Sequence, residues 1–246
     1  MSSAFELAGK EPGRAVSRPD NVHAARYQRN LGTLGVAGQG RLLASHALVV
    51  GLGGLGGYVV EQLARSGVGR ITGVDPDRFE ETNLNRQLLA TLDTLGSRKV
   101  DAAQKRIASV NPACVFTGVM GRHRDISQAV WSTVDIGFDC LDSIADRLDL
   151  ADICARNACI LIHGAVAGWY AQVAVVWPGQ PTLKSLYPST GPGWEQEIGT
   201  PPFTVGLAAS LMVAQGVKIM IGESIARSPR VEFIDLRESH WLTTSL

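Results

Sequence analysis

The stretch His46-Ala47-Leu48-Val49-Val50-Gly51-Leu52-Gly53-Gly54-Leu55-Gly56-Gly57 decides the fold. His46 to Val50 reads as a short apolar strand, and residues 51–57 as a glycine-rich turn. A helix carrying Val59, Val60 and Leu63 follows and stops at Gly67 and Gly69. Arg70 to Val74 is the next strand, closed by Asp75-Pro76-Asp77. Strand, helix and strand make one βαβ unit, whose crossover is right-handed.

Downstream of a polar stretch at 76–96, Val100, Ala103, Ile107 and Val110 share a face of a helix running from Ser97 to about Val110. Asn111-Pro112 stops it. Cys114–Val119 and Val134–Asp139 read as strands, Ile144–Asn157 as a helix and 159–166 as an apolar strand. Gly168 turns the chain into an antiparallel strand at 170–177. A helix at 204–222 and strands near 231–236 and 240–244 finish the chain. Upstream, Tyr27, Leu31, Leu34, Leu42 and Leu43 are helically spaced but interrupted by Gly32, Gly35, Gly38 and Gly40, which predicts a short helix, a turn and a second helix. The expectation is an α/β fold: a Rossmann-like mixed β-sheet with a parallel N-terminal half, antiparallel C-terminal strands and helices on both faces. Residues 1–24 read as a flexible tail, and 25–246 as a single domain with a long Pro- and Gly-rich crossover loop at about 178–203.

Composition narrows the function. Of 246 residues 45% are hydrophobic, enough for a sizeable core, and lysine plus arginine balance aspartate plus glutamate at 23 each. That balance gives no electrostatic case for a nucleic acid or an anionic membrane as partner. Phe203–Gly222 is the most membrane-like stretch, but Gln215, Lys218 and its small residues mark a core helix. Cys114, Cys140, Cys154 and Cys159 form no C-x-x-C pair and lie in apolar segments. They are expected to be free buried thiols in a reducing cytoplasm, and the N-terminus has no signal-peptide pattern.

Gly51, Gly53 and Gly56 fit G-x-G-x-x-G: a tight turn, a close backbone approach to phosphate, and close packing of helix on strand. The helix N-terminus offers unpaired N–H groups to an anion. Asp75, 24 residues after Gly51, ends the second strand where a carboxylate can accept from ribose hydroxyls. The fingerprint alone favours NAD. Asn83, Asn85 and Arg86 follow the acid, and Lys99 opens the next helix; Arg86 and Lys99 are charges a triphosphate needs around it. No Walker A motif is present. Asp139 and Asp142 flank Cys140-Leu141 after another strand. At the carboxyl end of a parallel sheet, Asp142 could face the same crevice and hold Mg²⁺; equally, Asp142 or Ser143 could simply cap a helix.

These residues, with Arg26-Tyr27-Gln28-Arg29-Asn30 upstream and Asp139-Cys140-Leu141-Asp142-Ser143 downstream, resemble the ThiF/MoeB/HesA family, bacterial relatives of the ubiquitin-activating enzymes. The resemblance spans roughly 26 to 236. It implies that ATP·Mg²⁺ and a small Gly-Gly-terminated ubiquitin-like sulfur-carrier protein bind, and that the carrier's C-terminal carboxylate is adenylated with release of pyrophosphate. It places Gly54 and its turn by the adenosine and phosphates and Asp75 on the ribose. Asn83, Arg86 and Lys99 go to the phosphates and Asp142 to Mg²⁺. Arg29 becomes a finger reaching the partner subunit's site in a homodimer.

The sequence departs from the family in two places. Many members bind a structural zinc through two C-x-x-C pairs; here Thr182 and Ser185 stand where the first pair would be, and no structural zinc is expected. Residues 178–203 also lack the cysteine that some members use covalently, which implies a separate sulfur donor. The alternatives are a tRNA threonylcarbamoyladenosine dehydratase-like enzyme, an NAD-dependent oxidoreductase and a nucleotide-binding scaffold without catalysis.

Overall fold

The computed structural model describes residues 22–187 and 193–246. Most of the expected tail, residues 1–21, and residues 188–192 of the expected crossover loop lie outside the described residues. Val22, placed by the sequence reading in the tail, is buried, so packing begins ahead of residue 25.

In chain order the elements are α1 (Leu31–Ala44), β1 (His46–Val50), α2 (Gly54–Ser66), β2 (Arg70–Val74), α3 (Lys99–Val110), β3 (Val115–Val119), α4 (Gln128–Trp131), β4 (Ile136–Asp139), α5 (Ile144–Arg156) and β5 (Ile160–Ala167). They continue with β6 (Tyr170–Val176), α6 (Thr182–Leu186), α7 (Glu195–Ile198), α8 (Pro202–Met220), β7 (Arg230–Asp235) and β8 (His240–Ser245). One eight-stranded sheet runs β3-β2-β1-β4-β5-β6-β7-β8. Its first five strands in this order are parallel, and β6, β7 and β8 join antiparallel, as expected.

Both sheet faces are covered. All five residues of β1 are buried, and period-two alternation divides them between two apolar clusters. Ala47 and Val49 join the cluster of α2, α3 and α8, while Leu48 and Val50 join Trp131, Leu150, Cys154 and Leu183 on the other face. A strand buried on both faces has no polar positions to spare, which is why β1 is a continuous apolar run. Helix α8 is long and apolar enough to cross a membrane, but its Ala208, Ala209 and Met212 are fully buried against the sheet.

Helix α1 is broken at Gly35 (φ 66°, ψ 168°) into two helical stretches joined by a kink, as the sequence predicts. Two local expectations need correction. The expected loop holds two short helices, and α8 begins two residues early, at Pro202. Buried Leu183 anchors α6 to the second cluster, and Pro202 supplies the fixed φ suited to a first helical turn. Pro and Gly content alone read as loop because short packed helices leave no long period.

The site follows from strand order. After β1 the chain moves outward one way through β2 and β3, then returns to the other side of β1 through β4 and β5. Crevices open at the carboxyl ends of strands where the order reverses. Val50 pairs in register with both Val74 and Asp139, so the residues that follow, Gly51, Asp75 and Cys140, lie side by side at that edge.

Candidate functional site

A cavity of about 450 Å³ opens at this switch point, within the roughly 300–1,000 Å³ of small-molecule sites. Its wall includes Gly51, Gly53, Gly54, Asp75, Arg86, Lys99 and Asp142. The turn beneath it demands glycine twice. Gly51 has φ +89°, and a Cβ there would lie 2.6 Å from the Cys140 carbonyl oxygen. At Gly56 a Cβ would lie 1.8 Å from the Gly51 carbonyl oxygen, so any side chain would push α2 off the turn. Gly53 is the N-cap of α2 and supplies no side-chain cap. The first N–H groups of the helix are therefore left to a ligand at its positive end.

Asp75 is buried beneath this turn. Its Oδ2 accepts from the Leu52 N–H at 2.7 Å and its Oδ1 from the Asp77 N–H at 2.8 Å. Burial raises its pKa, opposed by Lys99 and the two amides. Asp75 thus braces the glycine turn, a role the sequence reading did not assign it, while it lines the cavity. Lys99, itself buried, holds its Nζ 3.1 Å from Asp77 Oδ2 and 4.0 Å from Asp75 Oδ1. Half-buried Arg86 donates to the Thr82 carbonyl at 3.0 Å and to Asn85 Oδ1 at 2.8 Å.

Gly56, Asn83, Asn85, Ser143 and Arg29 are not on the wall. Asn83 Oδ1 caps a short turn by accepting from the Glu80 N–H at 3.1 Å. Asn85 steadies Arg86 and reaches the Thr200 carbonyl at 3.4 Å. Both asparagines do what asparagine does in turns, satisfying nearby backbone and side chains. Ser143 is the N-cap of α5, accepting from the Asp146 N–H at 3.3 Å, so the capping role falls to it and Asp142 is left exposed on the cavity. In the signature at 26–30, Tyr27 is buried and accepts from Asn111 Nδ2 at 2.8 Å, and Arg26 donates to Asn111 Oδ1 at 2.8 Å. Arg29 is exposed beside this anchor.

Asp142, Asp146 and Asp77 put hard oxygen donors on the wall, the donor type that Mg²⁺ takes alongside waters and phosphates. Among the described residues no group of three or more metal-ligating side chains forms.

Sequence reasoning missed Gln87 and Arg147. Gln87 is buried on the wall, and its Oε1 has no hydrogen-bond partner among the described residues. An orphaned buried amide at a cavity is a group left for a ligand. Arg147 is buried, and its Nε and Nη2 clamp the Leu141 carbonyl at 3.0 and 2.7 Å. Its position five residues after Asp142 on a helix gave no hint that it folds back. Cys140 also lines the cavity, but burial, aided by Asp139, pushes its thiol well up, which keeps it protonated.

The ThiF family profile matches residues 27–246. The chain belongs to the ThiF family. This ThiF-family chain is 31% identical to the "SAMP-activating enzyme E1" of Haloferax volcanii, over 88% of its own length and 83% of that protein. It is 31% identical to the "Adenylyltransferase and sulfurtransferase MOCS3" of Aedes aegypti, covering 91% of this chain but only 53% of that one. The chain thus spans about half the length of such two-activity relatives. Its fold matches Escherichia coli MccB crystallised with ATP (TM-score 0.73, 22% identity, 91% of this chain and 72% of that one). The match to MccB in complex with N-formylated MccA has a TM-score of 0.76 at 21% identity, over 92% and 73%.

Proposed function

We propose that this ThiF-family chain is an adenylyltransferase that uses ATP·Mg²⁺ to adenylate the C-terminal carboxylate of a small Gly-Gly-terminated, ubiquitin-like sulfur-carrier protein. One observation carries the reading. The open N-terminus of α2, Arg86, Lys99 and Asp142 all face a single cavity at the sheet's switch point. The relatives' names, an activating enzyme and adenylyltransferases, support it.

In the reaction a carboxylate oxygen attacks the α-phosphorus in line. The new O–P bond forms as the bond to the β-phosphate breaks, and pyrophosphate leaves with the electron pair. Two anions must meet, so catalysis rests on positioning and charge neutralisation. The α2 N–H groups hold phosphate oxygens. Lys99, now shared between Asp75 and Asp77, and Arg86, now turned to Thr82, supply the charge. Asp142, with Asp146 or Asp77, would hold Mg²⁺, which neutralises phosphate oxygens when bound.

Exposed Arg29, anchored next to buried Tyr27, would enter the partner subunit's site in a two-fold homodimer. Burial pushes the Cys114 thiol up to about 12 and the Cys140 thiol well up, which favours a separate sulfur donor over a covalent cysteine relay. Four free cysteines fit a cytoplasmic setting.

Carrier-dependent exchange of labelled pyrophosphate into ATP is the test. Exchange with a Gly-Gly-ending carrier from the same genome is expected. Its absence with every such carrier, or ATP-dependent cyclisation of a modified tRNA nucleoside in its place, would overturn the reading.

A further inference from the structure

Behind the cavity, Asp139 and His163 are both fully buried, with His163 Nδ1 2.7 Å from Asp139 Oδ2. The His163 Nε2 lies 3.0 Å from the Tyr187 hydroxyl, and the two rings meet edge to face. That hydroxyl also takes a hydrogen bond from Arg147 Nη1 at 3.1 Å and one from the Gln172 amide. The Asp139 carboxylate accepts, so His163 Nδ1–H donates to it, and Nε2 faces the Tyr187 hydroxyl and, at 3.4 Å, the Gln172 amide. Asp139 Oδ1 accepts from the Leu141 N–H at 3.1 Å, and Arg147 holds the Leu141 carbonyl.

These bonds close a ring through Asp139, Leu141, Arg147, Tyr187 and His163. Leu141 is gripped at both its N–H and its C=O, and that carbonyl belongs to the peptide leading into Asp142. The other end of the ring, Tyr187, directly follows α6, to whose Leu183 carbonyl its N–H is bonded at 2.8 Å. The residues that shape the Asp142 turn are therefore tied to a segment 45 positions further along the chain.

We propose that Tyr187 is a positioning residue for adenylation, its hydroxyl closing the hydrogen-bond ring that fixes the Leu141–Asp142 peptide, so that seating of the α6–Tyr187 segment sets the aim of the Asp142 carboxylate. The inference rests on the adenylation reading for its consequence and on the ring alone for its geometry.

The test uses the full chain and two readouts. In Tyr187→Phe, the ring keeps its packing and loses one hydroxyl. A single hydrogen bond of ordinary strength predicts Leu141 amide exchange about 10-fold faster without nucleotide. It also predicts a kcat for ATP–pyrophosphate exchange about 10-fold lower, with KM for ATP within about twofold. Arg147→Lys, which keeps the charge and loses the fork, should do the same and serves if the first variant does not fold. Lys184→Ala breaks an ion pair of the same helix with Asp152, outside the ring, and should change neither readout. Unchanged Leu141 protection in Tyr187→Phe overturns the proposal, as does equal acceleration in Lys184→Ala. Should the wild type exchange no pyrophosphate with any carrier, the adenylation reading falls, while Leu141 protection still decides the ring.

Discussion

Gly51→Ala should damage folding and nucleotide binding together, and its magnitude can be worked from two terms. A non-glycine residue at φ +89° is displaced from the ordinary left-handed well and costs about 1–2 kcal/mol. The new Cβ would also sit 2.6 Å from the Cys140 carbonyl oxygen and 3.0 Å from its carbon, both backbone atoms. Relief requires moving the Cys140 strand end, an overpacking term of about 1–3 kcal/mol. The sum, about 2–5 kcal/mol, corresponds to a melting temperature about 5–15 °C lower for a chain of this size. Because the displaced peptide leads towards Asp142, ATP·Mg²⁺ should also raise the melting temperature less than it does in the wild type. Gly54→Ala is the comparison. The tightest contact of its Cβ would be a methyl of Val205, at 3.3 Å, and alanine favours a helix by up to about 1 kcal/mol over glycine. That variant should melt within a few degrees of wild type while weakening ATP by crowding the wall. Calorimetry with and without ATP·Mg²⁺ reads both. A Gly51→Ala protein with wild-type melting and wild-type ATP stabilisation would refute the turn geometry.

Three further outcomes follow from the same site and core. Lys99→Met should slow pyrophosphate exchange at least about 100-fold, as loss of a charge acting in the transition state does; a loss under threefold in steady-state assays would remove Lys99 from the reaction. Asp142→Asn should raise the Mg²⁺ concentration needed for half-maximal exchange by about 10-fold or more, read by metal titration at saturating ATP; an unchanged titration reassigns the metal. His46 is buried between Thr72 and Thr133, and burial, with Arg70 adding repulsion, lowers its pKa to about 4. The unfolded chain therefore binds this proton first, so the stability it confers is complete above pH 6.5 and lost as pH falls towards 4. Discounted for screening, that is about 2 kcal/mol; His46→Gln should flatten this part of the urea stability–pH curve, and an unaltered slope would contradict it.

Much of the fold was legible because its signals are local. A continuous apolar run followed by Gly51, Gly53 and Gly56 means strand, turn and helix whatever the rest of the chain does, and parallel strands then place the site at their carboxyl ends. Charges were harder. Arg86 and Lys99 were found because an anion site needs cations, but Asn83, read as a phosphate contact, and Asn85, read as part of the nucleotide site, are engaged in the turn that presents Arg86. Asp75 was read as a ribose acceptor, and its bonds to the Leu52 and Asp77 amides show it bracing backbone as well. Gln87, Arg147, His163 and Tyr187 carry no local pattern, since partners 24 and 40 positions apart meet only once β5 and α6 are packed.

The pairing of β1 with β4 also has a kinetic consequence. Ala47 lies opposite Ile136, a contact that closes a chain segment 89 residues long, whereas β1 meets β2 after one short helix. Loop-closure entropy delays the longer pairing. A nascent chain can thus build the glycine turn with β1, α2 and β2 and still have half a cavity, because Asp142 and Arg147 arrive only with the distant strand. The cavity at the switch point is consequently completed late on the folding pathway, when β1 and β4 pair.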